Sequence, residues 1–85
     1  MFMINRERIM AEFLELVKIR CSTRNEREVA DILKARLTSY GLEVFEDDVG
    51  EKIGGNCGNV FAYLQGNLQN APVLALSAHM DCVEP

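Results

Sequence analysis

The stretch Pro72-Val73-Leu74-Ala75-Leu76-Ser77-Ala78-His79-Met80-Asp81 decides how the rest of the chain is read. Its first half is an unbroken apolar run of strand length. Such a run predicts a strand over Pro72–Ser77 that is covered on both faces, as in α/β sheets. Its second half carries the single histidine of the chain. Side chains alternate along extended backbone, so His79 and Asp81 are expected to point the same way. They would do so at the C-terminal end of a strand, where open α/β sheets place their sites. A neutral imidazole is a good zinc ligand. A carboxylate that accepts the other ring N–H fixes the tautomer and raises the basicity of the ligating nitrogen. The bare pattern His-x-Asp is weak, because a surface pair or a satisfied buried histidine shows it too. Its place after the most apolar run strengthens it.

Outward from this stretch, Gly66–Asn70 reads as a turn and Val60–Leu64 as a second strand. Gly54-Gly55-Asn56-Cys57-Gly58 precedes a strand rather than opening a helix, so a hairpin connection is expected and a phosphate cradle is not. The polar segment from Asp48 to Asn59 reads as a loop, with Glu46, Asp47, Asp48 and Glu51 as a solvated acidic cluster. Leu42–Phe45 reads as a first strand with Leu42 and Val44 on one face. Gly41 is the expected stop of a helix in which Val29, Ile32, Leu33 and Leu37 recur at helical spacing. Thr23 with Glu26, or Asn25 with Glu28, has the spacing of a capping box for it. Arg6–Arg20 reads as an amphipathic helix striped by Ile9, Phe13 and Leu16 and widened by Met10, Leu14 and Val17. Glu7, Glu12 and Glu15 sit earlier in it and Lys18 and Arg20 last, an order that suits the helix dipole. The expected architecture is α/β, with two N-terminal helices packed on three strands of a larger, incomplete sheet.

The 85 residues carry a net charge of −4. Residues 1–40 hold eight Lys or Arg against six acids, +2; residues 41–85 hold Lys52 against seven acids, −6. An acidic half without clustered bases argues against nucleic acid. No apolar span is long enough for a membrane helix, and the stub Met1–Ile4 lacks the order of a signal peptide. Cys21, Cys57 and Cys82 are odd in number and widely spaced, which argues against a disulfide framework and fits a cytoplasmic protein. Ser77 lacks the surroundings of a nucleophile elbow. Cys57 has no visible base partner.

The segment from Pro72 through His79 and Asp81 to Pro85 resembles the zinc-ligand strand of the peptidase T-like metallopeptidases. These belong to the wider clan of co-catalytic zinc aminopeptidases, carboxypeptidases and aminoacylases. Arg6–Ile19 resembles their first helix, Cys21–Glu28 their inter-helix turn, Val29–Tyr40 their second helix and Gly41–Val44 their first strand. Gly58-Asn59-Val60 resembles the opening of their second strand. The resemblance runs over essentially all 85 residues. It implies that His79 ligates one zinc and that Asp81 orients it as part of the catalytic machinery. It further implies two zinc ions, a metal-activated water, a short peptide substrate and a homodimer in the intact enzyme. The family's bridging aspartate, Glu-Glu pair, further acidic ligand and distal histidine have no counterpart here, and Glu84 does not match its base. Cys82 stands where the family commonly has Thr, and reads as a small filler.

Residues 1–85 are therefore expected to be the N-terminal part of a zinc-binding catalytic domain, inactive alone, with the remainder and a dimerisation domain absent. One histidine cannot hold zinc, which takes three or four protein ligands. The chain also stops straight after an apolar strand with no closing element. Within the clan, an amidohydrolase that removes acyl groups is the nearest competing function. From another class, a stand-alone interaction module that uses a bare sheet edge is the alternative.

Overall fold

The computed structural model describes residues 4–83. Met1 to Met3, part of the N-terminal stub, lie outside them, as do Glu84 and Pro85. Three helices and a two-stranded antiparallel sheet make a small mixed α/β unit: α1 (Arg6–Val17), α2 (Arg27–Ser39), β1 (Glu43–Glu46), α3 (Val49–Ile53) and β2 (Val60–Tyr63).

The start of α1 is fixed by Asn5, whose side chain accepts the Arg8 N–H at 3.0 Å, a standard N-cap arrangement. The helix ends at Val17, three residues before the expected Arg20. At the other end of α2, Gly41 takes the left-handed conformation (φ 88°). Its N–H donates to Thr38 O at 3.0 Å and that of Leu42 to Leu37 O at 3.2 Å, the paired bonds of a Schellman stop. Neither expected capping box forms, because the side chain that serves the start of α2 is remote. The Arg27 N–H donates to Oδ1 of Asn56, 29 residues away, at 3.0 Å.

Glu43 pairs with Tyr63, Val44 with Ala62, Phe45 with Phe61 and Glu46 with Val60. Val44 and Glu46 are the half-buried positions of β1, and α2 packs on this strand. On the exposed face Phe45 and Phe61 stack with centroids 4.9 Å apart, a cross-strand aromatic pair. The thirteen residues between the strands hold α3, a single turn that helical periodicity is too short to reveal. Asp47 starts it by accepting the Val49 N–H at 3.2 Å, and Gly54 (φ 75°) closes it.

Glu46 joins these parts. It lies in β1 rather than in a solvated cluster, and it receives Arg27 Nη1 at 2.9 Å, Lys34 Nζ at 3.0 Å and the Gly58 N–H at 2.8 Å. Gly58 is needed there, since an added Cβ would lie 2.0 Å from the Asp47 carbonyl oxygen. The Arg27 guanidinium first, then the Gly58 N–H, holds the Glu46 carboxyl well below the usual carboxylate range. Asp47 accepts the Asn59 N–H at 2.7 Å and its side-chain amide at 3.0 Å, which keys the opening of β2 to the end of β1.

Two expectations are corrected. Residues 72–77 form no strand, and none of the described backbone hydrogen bonds involves them. A strand exists through its ladder, and β1 and β2 pair only with each other among the described residues. Val73, Leu74 and Leu76 are 84–90% exposed. In addition, among the described residues α2 is the helix that packs closely on the sheet. Contact between α1 and α2 runs through Arg36, which meets Glu12 at 3.4 Å and Glu15 at 2.5 Å, and through Tyr40, whose hydroxyl donates to Glu12 and whose ring lies under Arg8. Of the apolar stripe of α1, Ile9, Met10, Phe13, Leu14 and Val17 stay exposed and Leu16 is half-buried. Only Cys21, Val29 and Ala30 are buried among the described apolar residues. The radius of gyration is 14.8 Å, against about 12 Å for a compact chain of this length. Beyond β2, residues 64–83 run on as an arm with neither helix nor strand.

Because the folded pKa of Glu46 is depressed, its stabilisation is present above its ordinary pKa of 4.5 and is lost as pH falls below it. Glu46→Gln is expected to cost on the order of 2 kcal/mol at neutral pH and to flatten the acid limb of the stability curve. Denaturant melts at pH 7 and pH 3 measure both. An unchanged acid limb would show that Glu46 is not the hub.

Candidate active site

The residues singled out in the sequence meet the body of the protein at one place, the turn between α1 and α2. Arg24 carries a positive φ of 72° in that turn, and its carbonyl accepts the Asn56 N–H at 3.0 Å. The turn therefore stands on the same Gly-rich loop that caps α2. This presents Ser22 and Thr23 to the arm, where the Thr23 hydroxyl donates to Asp81 Oδ2 at 2.6 Å. One residue further, the Cys82 N–H donates to Cys21 O at 2.7 Å.

His79 and Asp81 do share a side. His79 Nδ1 lies 2.9 Å from Asp81 Oδ1 and 3.0 Å from the Asp81 carbonyl oxygen. The Thr23 hydroxyl first, and then His79, hold the Asp81 carboxyl below its ordinary value of 3.8, so it is ionised at neutral pH and can only accept. Nδ1 therefore carries the proton in the neutral imidazole, and the lone pair falls to Nε2. The His79 side chain is 85% exposed and that of Asp81 only 31%. The carboxylate is thus seated against the protein while the ring stands out from it.

Ser22, Thr23, His79, Asp81, Cys82 and Val83 line an open cleft of about 440 Å³. The arrangement can offer one nitrogen lone pair of fixed tautomer to a cation or to a proton donor. It meets part of what zinc requires, a ligand with its orienting carboxylate. Among the described residues no group of three or more His, Cys, Asp or Glu side chains is placed to hold a metal ion. Three exposed or buried thiols remain free: Cys82 is exposed, Cys57 half-buried and Cys21 buried. Burial first, and the neighbouring Cys82 thiol second, push Cys21 up to about 11.

Thr23 is the site residue that sequence reasoning missed. Its spacing to Glu26 pointed to a helix cap, yet its partner lies 58 positions along the chain. No local pattern carries that pairing. Only the fold of the turn against the arm reveals it.

Thr23→Val removes one bond to the charged form of Asp81, so the Asp81 pKa is expected to rise toward 3.8. Carboxyl carbon shifts followed through an acid titration report this directly. A midpoint unmoved by the substitution would show that the hydroxyl does not hold Asp81.

The chain is 37% identical over 83 residues to "Uncharacterized protein YqjE" of Bacillus subtilis (strain 168). That alignment takes in 98% of this chain but 22% of the length of the relative. No protein-family profile matches the chain, and no solved structure matches it. No described helix is long and apolar enough to cross a membrane.

Proposed function

We propose that this chain is the N-terminal part of the catalytic domain of a cytoplasmic zinc-dependent peptidase of the peptidase T-like kind, acting on short peptides. The observation that carries the reading is the relay Thr23–Asp81–His79. A hydroxyl fixes a carboxylate, the carboxylate fixes the ring tautomer, and the Nε2 lone pair is left on an exposed ring that lines the cleft. A ligand oriented through its other ring nitrogen is the usual state of a metal-bound histidine.

In this reading His79 supplies one ligand and Asp81 orients it. When bound, zinc would act as a Lewis acid toward a peptide carbonyl and lower the pKa of water. The protein's own part here is to hold the proton on Nδ1, keep Asp81 ionised and present Nε2 at the cleft. Zinc takes three or four protein ligands, so the others come from outside residues 4–83. The 22% coverage of the longer relative accommodates them. The large apolar surface of the α1 stripe and of residues 73–76 is what further strands and helices of a larger sheet would cover.

Two measurements test the reading. In the full-length protein that carries this segment, His79→Ala is expected to lower zinc content together with the rate of peptide hydrolysis. Full zinc occupancy in that variant would remove His79 from the ligand set. The 85-residue chain by itself is expected to show no zinc-dependent hydrolysis of di- or tripeptides. Sustained turnover by the purified chain would mean that residues 1–85 need no further ligands.

A further inference from the structure

Three cysteines were read as unconnected, yet the fold brings two of them together across 61 positions. The Cys82 N–H donates to the Cys21 carbonyl oxygen at 2.7 Å. The Cys82 Cα is one bond from that nitrogen and the Cys21 Cα two bonds from that oxygen. Standard bond lengths then cap the Cα–Cα separation at about 6.6 Å. Disulfides span Cα separations of about 4.4–6.8 Å. The two thiols are also near enough to perturb each other. Cys57 is placed differently, on the Gly-rich loop, and lines a separate cleft with Arg27 and Glu46.

We propose that Cys21 and Cys82 are a modification site: a reversible disulfide that staples the His79–Asp81 arm to the turn between α1 and α2. The oxidant is a small-molecule disulfide of the glutathione class. Exposed Cys82 loses its proton and attacks one sulfur of that disulfide, releasing one small thiol and leaving a mixed disulfide. Cys21, buried beside it, loses its proton and attacks the Cys82 sulfur, and the second small thiol leaves. Two electrons and two protons pass from the cysteines to the small disulfide, and a dithiol reductant reverses the exchange.

The consequence follows from how little else holds the arm. Between Leu64 and Val83, the described hydrogen bonds that tie it to the body are that of Tyr63 to Gln65 at its root and, further out, those of Thr23 to Asp81 and of Cys82 to Cys21. A covalent link one residue beyond Asp81 makes the seat of the carboxylate permanent while it lasts. The bond concerns the thiols alone, so it stands or falls independently of any role of His79 toward zinc.

The test is to treat the purified protein with oxidised glutathione, alkylate the remaining thiols under denaturing conditions and digest with trypsin and chymotrypsin. Trypsin frees Cys21 in the peptide 21–24. Cleavage after Phe61 or Tyr63 separates Cys57 from Cys82, which share one tryptic peptide. The expected product joins the Cys21 and Cys82 peptides, leaves Cys57 alkylated, lowers the intact mass by about 2 Da and disappears with dithiothreitol. Cys57→Ala should still form it, and Cys82→Ser, at an exposed position, should abolish it. A link that includes Cys57, or three alkylated cysteines after excess oxidant, overturns the proposal.

Discussion

Charge at Glu46 governs the arrangement of everything around it. The carboxylate sits on the inward face of a short strand, a position that in most sheets holds an apolar side chain. An ionised group there is tolerated only when its oxygens are filled, and three donors from two separate parts of the chain fill them: Arg27 and Lys34 from α2 and the Gly58 N–H from the approach to β2. Each partner brings its element with it. Arg27 heads the helix that Asn56 caps, and Gly58 belongs to the same loop as Asn56. One carboxylate therefore ties the helix, the sheet and the loop, in a unit where only three of the described apolar residues are buried. Polar satisfaction specifies this fold more than hydrophobic volume does.

The candidate site inherits its order from that hub at one remove. The loop that Glu46 anchors also carries Asn56, whose N–H donates to Arg24 O. Arg24 closes the turn that presents Thr23, Thr23 holds Asp81, and Asp81 holds His79. Each step is a hydrogen bond from a positioned donor to an oxygen. Its product is a histidine whose tautomer is set before any ligand arrives.

Local chemistry was legible in the sequence and remote pairing was not. Gly41 announced the end of α2 because a left-handed residue after a periodic helix has few other meanings. Val44 announced its inward face by alternation, and His79 and Asp81 their common side by the same rule. Asn56 as the cap of α2 and Thr23 as the partner of Asp81 lie 29 and 58 positions from what they bind, and no window of local sequence contains both ends. Glu46 was misread for the same reason: beside Asp47 and Asp48 it looks solvated, and Arg27 is nowhere near it in the chain. The run Pro72–Ser77 shows the opposite failure. Its composition states a strand, but a strand needs a neighbour, and composition does not supply one.

The clasp from Thr23 to Asp81 closes a loop 58 positions long. The entropy lost in closing a flexible loop grows only with the logarithm of its length, about 0.6 kcal/mol for each doubling. The turn at Gly66–Asn70 lies within that loop, and its residues are exposed. Adding or removing several residues there changes closure by a small fraction of that figure. Homologous chains can therefore vary in length between β2 and the histidine without displacing the ring, and an affinity tag or fluorophore inserted at this turn would leave the geometry of the cleft intact.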